Sequence, residues 1–302
     1  MMRLRTFHLL LLCLLVACTG SPAVQPPDTD AVVVAAFDFP ESVLLAEIYA
    51  QALEAVDISV RREFGLGTRE FVQPALQQGL VDLVPEYGGS ALTFATLGTV
   101  EPTSDEDLTH RALVSALGDR GVTALAASPA QDRNGLAVTA VTAAEFGLRR
   151  ISDLVPHAGD MVFGGPPECD HRPLCLPGFE RIYRLRFAEF LPLDAGGPLT
   201  LQALRSDIVD AAIVFTSDGV AERDGLVILE DDKQLQPAEN VTPVVFTETL
   251  RRVGPTLSDA IDAVSAALTT DELRSMNAEV AVDGRSPAAV AADWLRREGL
   301  DG

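Results

Sequence analysis

The chain of 302 residues is long enough for one large domain or two medium ones, and with 47% apolar and 22% charged residues it is a folded protein rather than a disordered one. Its formal net charge of −21, from 44 acidic against 23 basic residues, repels phosphate backbones and argues against a nucleic-acid partner. The histidines, His8, His110, His157 and His171, contain no i, i+4 pair, and the P-loop, the G-x-S-x-G elbow and the H-E-x-x-H helix are missing, so most common catalytic signatures are absent and no cofactor is expected.

Arg3 and Arg5 form a short basic segment ahead of an apolar run over 9–17. That run is too short for a membrane-spanning helix, which needs about 20 residues, and it fits a signal peptide over 1–17. It ends Leu15-Val16-Ala17-Cys18, which resembles the lipobox of bacterial lipoproteins, where the signal is cut before a cysteine that takes the lipid. Residues 18–30 are small, polar and rich in proline, and read as a tether between a lipidated Cys18 and the folded body. The expected location is the extracytoplasmic face of the bacterial cell membrane, anchored by lipid without spanning it. Cys13 leaves with the signal, so Cys169 and Cys175 remain as a pair. Outside the cell they are expected to form a disulfide; the alternative is a metal site of Cys169, His171 and Cys175. The closed loop is short, worth only about 2.4 kcal/mol of loop-closure entropy, so its expected role is to shape residues 170–174.

Beyond the tether, short apolar runs alternate with amphipathic stretches. Residues 31–37 are β-branched and apolar, as a buried parallel strand should be. Asp38-Phe39-Pro40-Glu41 has the D-x-x-E spacing of a capping box. The helix it opens puts Leu44, Ile48 and Ala52 on one stripe, with Leu45, Tyr49 and Leu53 beside it, so Tyr49 reads as core. A second strand and a helix over 68–80 follow. Next come a strand over 81–84 and a turn at Pro85-Glu86-Tyr87-Gly88-Gly89 into another helix. Thr103-Ser104-Asp105-Glu106 opens a helix that runs to 117, and a strand covers 122–126. Residues 127–135 break the pattern. Further strands are expected over 136–139, 160–164, 211–215 and 226–229, then a polar, proline-containing stretch to Asn240. A strand over 243–246 and helices over 258–268, 271–279 and 286–297 complete the chain, the last carrying Trp294 into the core.

This βαβα order implies an α/β protein with mostly parallel sheets. The breaks near 128–135 and 231–242 divide the chain into three blocks. Pairing the first with the third gives lobe I over 31–130 plus 240–302 and lobe II over 131–239, joined by two crossing segments around a hinged cleft.

Several segments resemble one family. Asp38-Phe39-Pro40-Glu41 with Glu47-Ile48-Tyr49-Ala50-Gln51-Ala52-Leu53 resembles its opening strand-loop-helix, and Pro85-Glu86-Tyr87-Gly88-Gly89-Ser90 resembles its Glu-Tyr-Thr-Gly-Thr loop. Pro129-Ala130-Gln131-Asp132-Arg133-Asn134 is similar to its first crossover. Phe163-Gly164-Gly165-Pro166-Pro167-Glu168, with Arg172-Pro173 and Leu176-Pro177-Gly178, is similar to a loop of its second lobe. Phe215-Thr216-Ser217-Asp218-Gly219 and Leu229-Glu230-Asp231-Asp232-Lys233 are similar to its last two motifs. The family comprises the substrate-binding proteins of ABC importers for osmoprotectants: glycine betaine, carnitine, choline and related quaternary amines. The resemblance implies an α/β, two-lobed type II periplasmic-binding-protein fold with two crossover strands. It implies a monomeric solute receptor that performs no chemistry, with a small-molecule ligand and an ABC permease in the membrane as partners. A receptor of the same fold for a different polar or aromatic solute is the nearest alternative; a ligand-sensing lipoprotein and a secreted enzyme on the same fold are the alternatives from other classes.

A quaternary ammonium offers no hydrogen-bond donor and is held by aromatic faces, each worth about 0.5–2 kcal/mol. Phe39, Tyr87 and Phe215 are the expected cage residues, although Phe39 also reads as a hydrophobic staple and Phe215 as the end of a buried strand. The polar candidates are Ser90, Asn134, Arg172, Thr216 and Asn240, with pairing to Asp170 or Glu168 as the alternative for Arg172. Where the family carries tyrosine just before the asparagine of the second crossover, this chain has Glu239, a candidate partner for a cation. It also has Asp38 and Ser42 where asparagine and glutamine are usual.

Overall fold

The computed structural model describes residues 30–194, 196–219 and 225–302. The expected signal peptide, Cys18 and the tether up to residue 29 lie outside the described residues.

Two five-stranded sheets organise the described residues. The first contains β1 (Val32–Ala35), β2 (Val60–Glu63), β3 (Leu83–Tyr87), β4 (Val122–Ala124) and β10 (Val241–Phe246), in the order β2-β1-β3-β10-β4. The second contains β5 (Asn134–Thr139), β6 (Val162–Gly165), β7 (Glu189–Pro192), β8 (Ala211–Phe215) and β9 (Leu226–Leu229), in the order β7-β6-β8-β5-β9. β1 is parallel to β2 and β3, and β6 is parallel to β7 and β8. β10 runs antiparallel to β3 and β4, and β5 antiparallel to β8 and β9. The sheets are therefore mixed, which corrects the expectation of mostly parallel pairing. β5 and β10 are the strands that follow a crossing from the other sheet. Each enters at the end where its neighbours stop: Asn134 pairs with Phe215, and Val241 with Tyr87. The crossings themselves pair through an antiparallel bridge between Gln131 and Asn240.

Helices α1 (Pro40–Glu54), α2 (Arg69–Gln77), α3 (Gly88–Ala95), α4 (Glu106–Gly118), α8 (Thr247–Val253), α9 (Pro255–Ala267), α10 (Thr270–Ala281) and α11 (Pro287–Glu298) flank the first sheet in sequence. Helices α5 (Ala140–Phe146), α6 (Leu176–Gly178) and α7 (Pro198–Arg205) belong to the chain of the second. β1 shows why its residues are apolar without alternation. Val32 and Val34 pack into one core with Leu44 and Ile48 of α1, Ile261 of α9 and Trp294 of α11. Val33 and Ala35 point into another, with Val72 and Leu76 of α2, Leu92 of α3 and Leu113 of α4. The second sheet repeats this layering, with Leu136, Val138 and Phe163 on one face and Ala137, Ala212 and Val214 against Leu201 and Leu204 of α7 on the other. A sheet covered on both faces buries each such side chain fully, worth roughly 1.5–3 kcal/mol apiece for the larger ones. Tyr49 lies in the first core with its hydroxyl 3.0 Å from the Ser265 hydroxyl, as a buried phenol requires.

Local signals are met at α4, where Asp105 accepts from the Leu108 amide at 2.9 Å, and at α11, where Ser286 caps the Ala289 amide. The D-x-x-E reading at α1 is corrected. Phe39, not Asp38, is the N-cap residue, and no side chain caps the helix. Because Phe39 occupies the cap itself, it is not at the staple position before it. Glu41 turns inward and Ser42 takes the Phe37 amide at 2.9 Å. The strand expected over 81–84 begins at Leu83 and runs on to Tyr87, so Pro85, Glu86 and Tyr87 belong to β3 rather than to a turn. Pro85 is accommodated opposite Pro243 of β10, where neither residue has an amide to leave unpaired.

Cys169 and Cys175 form a disulfide with Cα atoms 5.2 Å apart, and both are buried. This corrects the metal alternative, since each sulfur is spent on the other and no thiolate is left to ligate. Reducing the bond, or replacing both cysteines by serine, is expected to lower the unfolding free energy by about 2 kcal/mol in urea titration. The intact protein should weigh two hydrogens less than its reduced form by mass spectrometry. Free, alkylatable thiols in unreduced protein contradict this.

Candidate functional site

The strands β1, β3, β6, β7 and β8 end toward one space, a cavity of about 1150 Å³ lined from both sheets and from the crossings. Ligands of α/β sheets lie at the carboxyl ends of strands, and this cavity occupies that place twice over. A second depression of about 450 Å³ lies against α1 and α11, where Arg62 is engaged with Glu54 at 2.6 Å and with Glu47 at 3.1 Å.

The aromatic walls come from both sides. Phe39 sits just beyond β1 and is 37% exposed, open to the cavity, while its ring stacks on Phe37 at 5.8 Å and on Tyr87 at 6.2 Å between centroids. Tyr87, the last residue of β3, is largely buried behind this stack and still lines the cavity. Phe215, the last residue of β8, lines it from the second sheet.

A chain of hydrogen bonds crosses between these walls. The Tyr87 hydroxyl donates to Glu41 Oε1 at 2.6 Å. The Asn277 side-chain amide, from α10, donates to Glu41 Oε2 and to the Ser217 carbonyl, the latter at 3.0 Å. The Ser217 hydroxyl donates to Asp132 Oδ1 at 2.8 Å. Burial raises the pKa of Glu41 against the donors Ser217, Tyr87 and Asn277, and the charge of Asp218 adds to the rise. Burial also raises Asp132, with the neighbouring charge of Glu41 next in importance. The Tyr87 phenol is pushed up by burial and then by the Glu41 charge, so it stays a donor.

Glu239 forms a separate station. Its Oε2 accepts from the Ser90 amide and its Oε1 from the Ser90 hydroxyl, each at 2.9 Å. Burial lifts its pKa from 4.5 to about 7, opposed by the two Ser90 donors and by the charge of Arg69. Arg69 is itself committed. It meets Glu86 through Nε and Nη2 at 2.9–3.1 Å, Gln73 donates to the same carboxylate at 2.7 Å, and the guanidinium lies 5.2 Å over the Phe37 ring. Buried Glu86 is thus a paired, structural charge.

Of the residues singled out in the sequence, Phe39, Tyr87, Ser90, Asn134, Arg172, Phe215 and Glu239 line the cavity. Thr216 and Asn240 do not. The Thr216 hydroxyl accepts from the Arg133 amide at 2.8 Å, tying the start of β5 to the end of β8. The buried Asn240 side chain donates to the Ser128 carbonyl at 2.8 Å and to Glu106 at 3.3 Å, so it clamps the crossing instead of lining the cavity. Arg172 is exposed and pairs with Glu168 at 3.3 Å at the rim. Asn134 reaches Gln236 at 3.4 Å. Sequence reading missed Glu41, Asp132, Ser217, Gln236 and Asn277. Glu41 carried a capping signal that pointed elsewhere, Asp132 lay two residues from the Asn134 chosen in the same crossover, and Asn277 carries no local signal at all. The acceptor-rich walls, with aromatic faces beside them, can hold a small organic cation without performing chemistry on it.

A family model described as the substrate-binding domain of ABC-type glycine betaine transport systems matches residues 30–297, and the chain belongs to that family. It is 28% identical over 300 residues to a glycine-betaine-binding protein of Pseudomonas aeruginosa PAO1, covering 96% of this chain and 94% of that one. It is 29% identical over 278 residues to the glycine betaine-binding protein YehZ of Escherichia coli K12, covering 86% and 88%. A crystal structure titled as a glycine betaine/carnitine/choline ABC transporter superposes with a TM-score of 0.82 at 25% identity, over 90% of this chain and all of that one. The protein is therefore an extracytoplasmic solute receptor of an ABC importer and not an enzyme. Among the described residues no helix is long and apolar enough to cross a membrane.

The position of Glu239 carries a signed prediction. Its folded-state pKa lies above its ordinary value of 4.5, so between there and about 7 the folded protein binds more protons than the unfolded chain, and this group's contribution to stability falls as pH rises. Glu239→Gln removes that contribution. The melting temperature of the variant relative to wild type, without ligand, should therefore climb between about pH 5 and about pH 8. A difference that stays flat across this range contradicts the burial of this carboxylate.

Proposed function

We propose that the cleft binds a small quaternary ammonium osmolyte and that the protein, anchored through a lipid on Cys18, delivers it as a monomer to an ABC permease. The observation that carries this reading is the convergence of Phe39 and Tyr87 from one sheet and Phe215 from the other on one cavity that also holds Glu41, Asp132 and Glu239. Aromatic faces attract a permethylated cation that has no N–H to donate, and the carboxylates supply a field of the matching sign. The names of the relatives, glycine-betaine-binding proteins, support the same class. In this reading lobe I is 31–130 plus 240–302 and lobe II is 131–239. The lobes close about the paired crossings at Gln131 and Asn240, and closure brings Phe215 toward Phe39 and Tyr87.

The test is a thermal-shift and calorimetric screen with glycine betaine, carnitine and choline. A ligand at 100 times its Kd should stabilise the protein by about 2.7 kcal/mol. Tyr87→Ala should weaken the best ligand by at least about tenfold, or 1.4 kcal/mol. Tyr87→Phe should cost less, since the ring remains and only the bond to Glu41 is lost. Wild-type affinity in Tyr87→Ala overturns the aromatic reading. Anchoring is tested separately: Cys18→Ser should move the protein from the membrane fraction to the soluble one, and a variant that stays with the membrane refutes lipidation there.

A further inference from the structure

We propose that Glu239 sets the charge selectivity of this cleft: it is a resident carboxylate that fills the amide cradle at the start of α3, so that this end of the cleft accepts cations and turns away the carboxylate of a zwitterionic solute. The inference rests on the reading of the cleft as the solute site and names its ligand class more narrowly, as an organic cation without an acid group at that end.

The start of a helix leaves backbone amides unpaired and partly positive, which makes it an attractive seat for an anion. α3 begins directly where β3 ends, and its first turn faces the cavity through Ser90. A receptor for a carboxylate-bearing solute would keep such amides free for the ligand. Here the chain occupies two of them itself. The Gly88 amide donates to the Asn240 carbonyl at 3.0 Å, and the Ser90 amide and hydroxyl together take both oxygens of Glu239.

The contact is built into the backbone on both sides. A Cβ on Gly89 would stand 2.8 Å from the Ala238 carbonyl oxygen and 3.1 Å from Glu239 Oε1, so only glycine lets the crossing lie this close to the helix. The crossing is held in turn by the Ala238 amide on the Thr103 carbonyl at 2.8 Å and by the Asp132 amide on the Glu239 carbonyl at 3.2 Å. Gly89, Ser90 and Glu239, far apart in sequence, thus form one fitted contact.

The charges around it add to the effect. Arg69 makes its hydrogen bonds to Glu86 and acts on Glu239 only through its charge, so the one guanidinium serves two carboxyl groups. Glu41, Asp132 and Asp218 line the same cavity, while its two arginines, Arg172 and Arg205, line it from the second sheet's side, away from α3. A solute carboxylate brought to this end would meet acidic side chains and a Ser90 amide already taken, whereas a cationic head would meet acceptors and the faces of Phe39 and Tyr87.

The experiment compares choline, a cation with a neutral tail, with glycine betaine, which carries the same trimethylammonium head and a carboxylate. Affinities are measured by calorimetry at about pH 8, where Glu239 is charged, on wild type, Glu239→Gln, Gly89→Ala and Tyr87→Ala. Wild type should prefer choline. Glu239→Gln should lower the choline-to-betaine affinity ratio by roughly tenfold or more, by weakening the cation and relieving the repulsion of the carboxylate. Gly89→Ala keeps every charge and pushes residues 238–239 off the helix, so it should shift the ratio in the same direction by a smaller factor. Circular dichroism and melting curves establish that each variant is folded; should Glu239→Gln fail to fold, Gly89→Ala alone decides. A ratio unchanged in the folded variants, with both ligands weakened equally or not at all, overturns the proposal. If in that case Tyr87→Ala still weakens binding, the cleft reading stands without it. A wild type that binds neither probe overturns both.

Discussion

The antiparallel pairing of Gln131 with Asn240 is the constraint on which the rest of the structure depends. It sets two crossing segments side by side, and each then enters a sheet at the end where its neighbours stop. One strand in each sheet is reversed as a result, the strand ends of both sheets face the same cavity, and residues of the crossings themselves become part of its wall. Asp132, Asn134 and Glu239 reach the cavity because they lie within a few residues of that bridge. Asn240 holds the geometry by donating to Ser128 and Glu106, while its own carbonyl receives the Gly88 amide.

The cleft combines two kinds of polar order. One is the relay of Tyr87, Glu41, Asn277, Ser217 and Asp132, in which each acceptor has a donor and the carboxylates are desolvated. The other is the compact seat of Glu239 on Ser90. Desolvation makes each charge costly in the empty protein and makes it correspondingly responsive to a cation that arrives with the water excluded. Preorganised acceptors of this kind supply affinity without the cost of ordering them at the moment of binding.

Much of the fold was legible in the chain because burial on both faces writes a plain signal. The runs Ala211–Phe215 and Leu226–Leu229 are apolar throughout and were placed at their observed ends. β7 was not seen, because Glu189–Pro192 is a partly exposed edge strand with a charge and a proline, and edge strands lack the apolar run that marks central ones. The reversed strands were invisible for a different reason: strand direction is decided by where the chain crosses, and no local pattern encodes that. The same holds in the cavity. Aromatic residues after apolar strands, such as Tyr87 and Phe215, advertise themselves, whereas Glu41 sat in a sequence that equally spells a helix cap, and Asn277 belongs to an amphipathic helix far along the chain. Thr216 and Asn240 were marked by their neighbours and turned out to serve the crossings.

The contacts of α10 have a mechanical consequence. Asn277 reaches the Ser217 carbonyl, and Arg274 reaches the Thr216 carbonyl through Nε at 3.3 Å and Nη2 at 3.0 Å, while Gly219 lies so close that a Cβ there would stand 2.2 Å from the Arg274 carbonyl oxygen. Two bodies joined only by a pair of adjacent strands are free to bend and also to twist about the strand axis. A third attachment away from that axis removes the twist and leaves the bend. Helix α10 thus adds, beside the crossings, a second set of bonds between the two sides of the cavity wall, at residues 216–219.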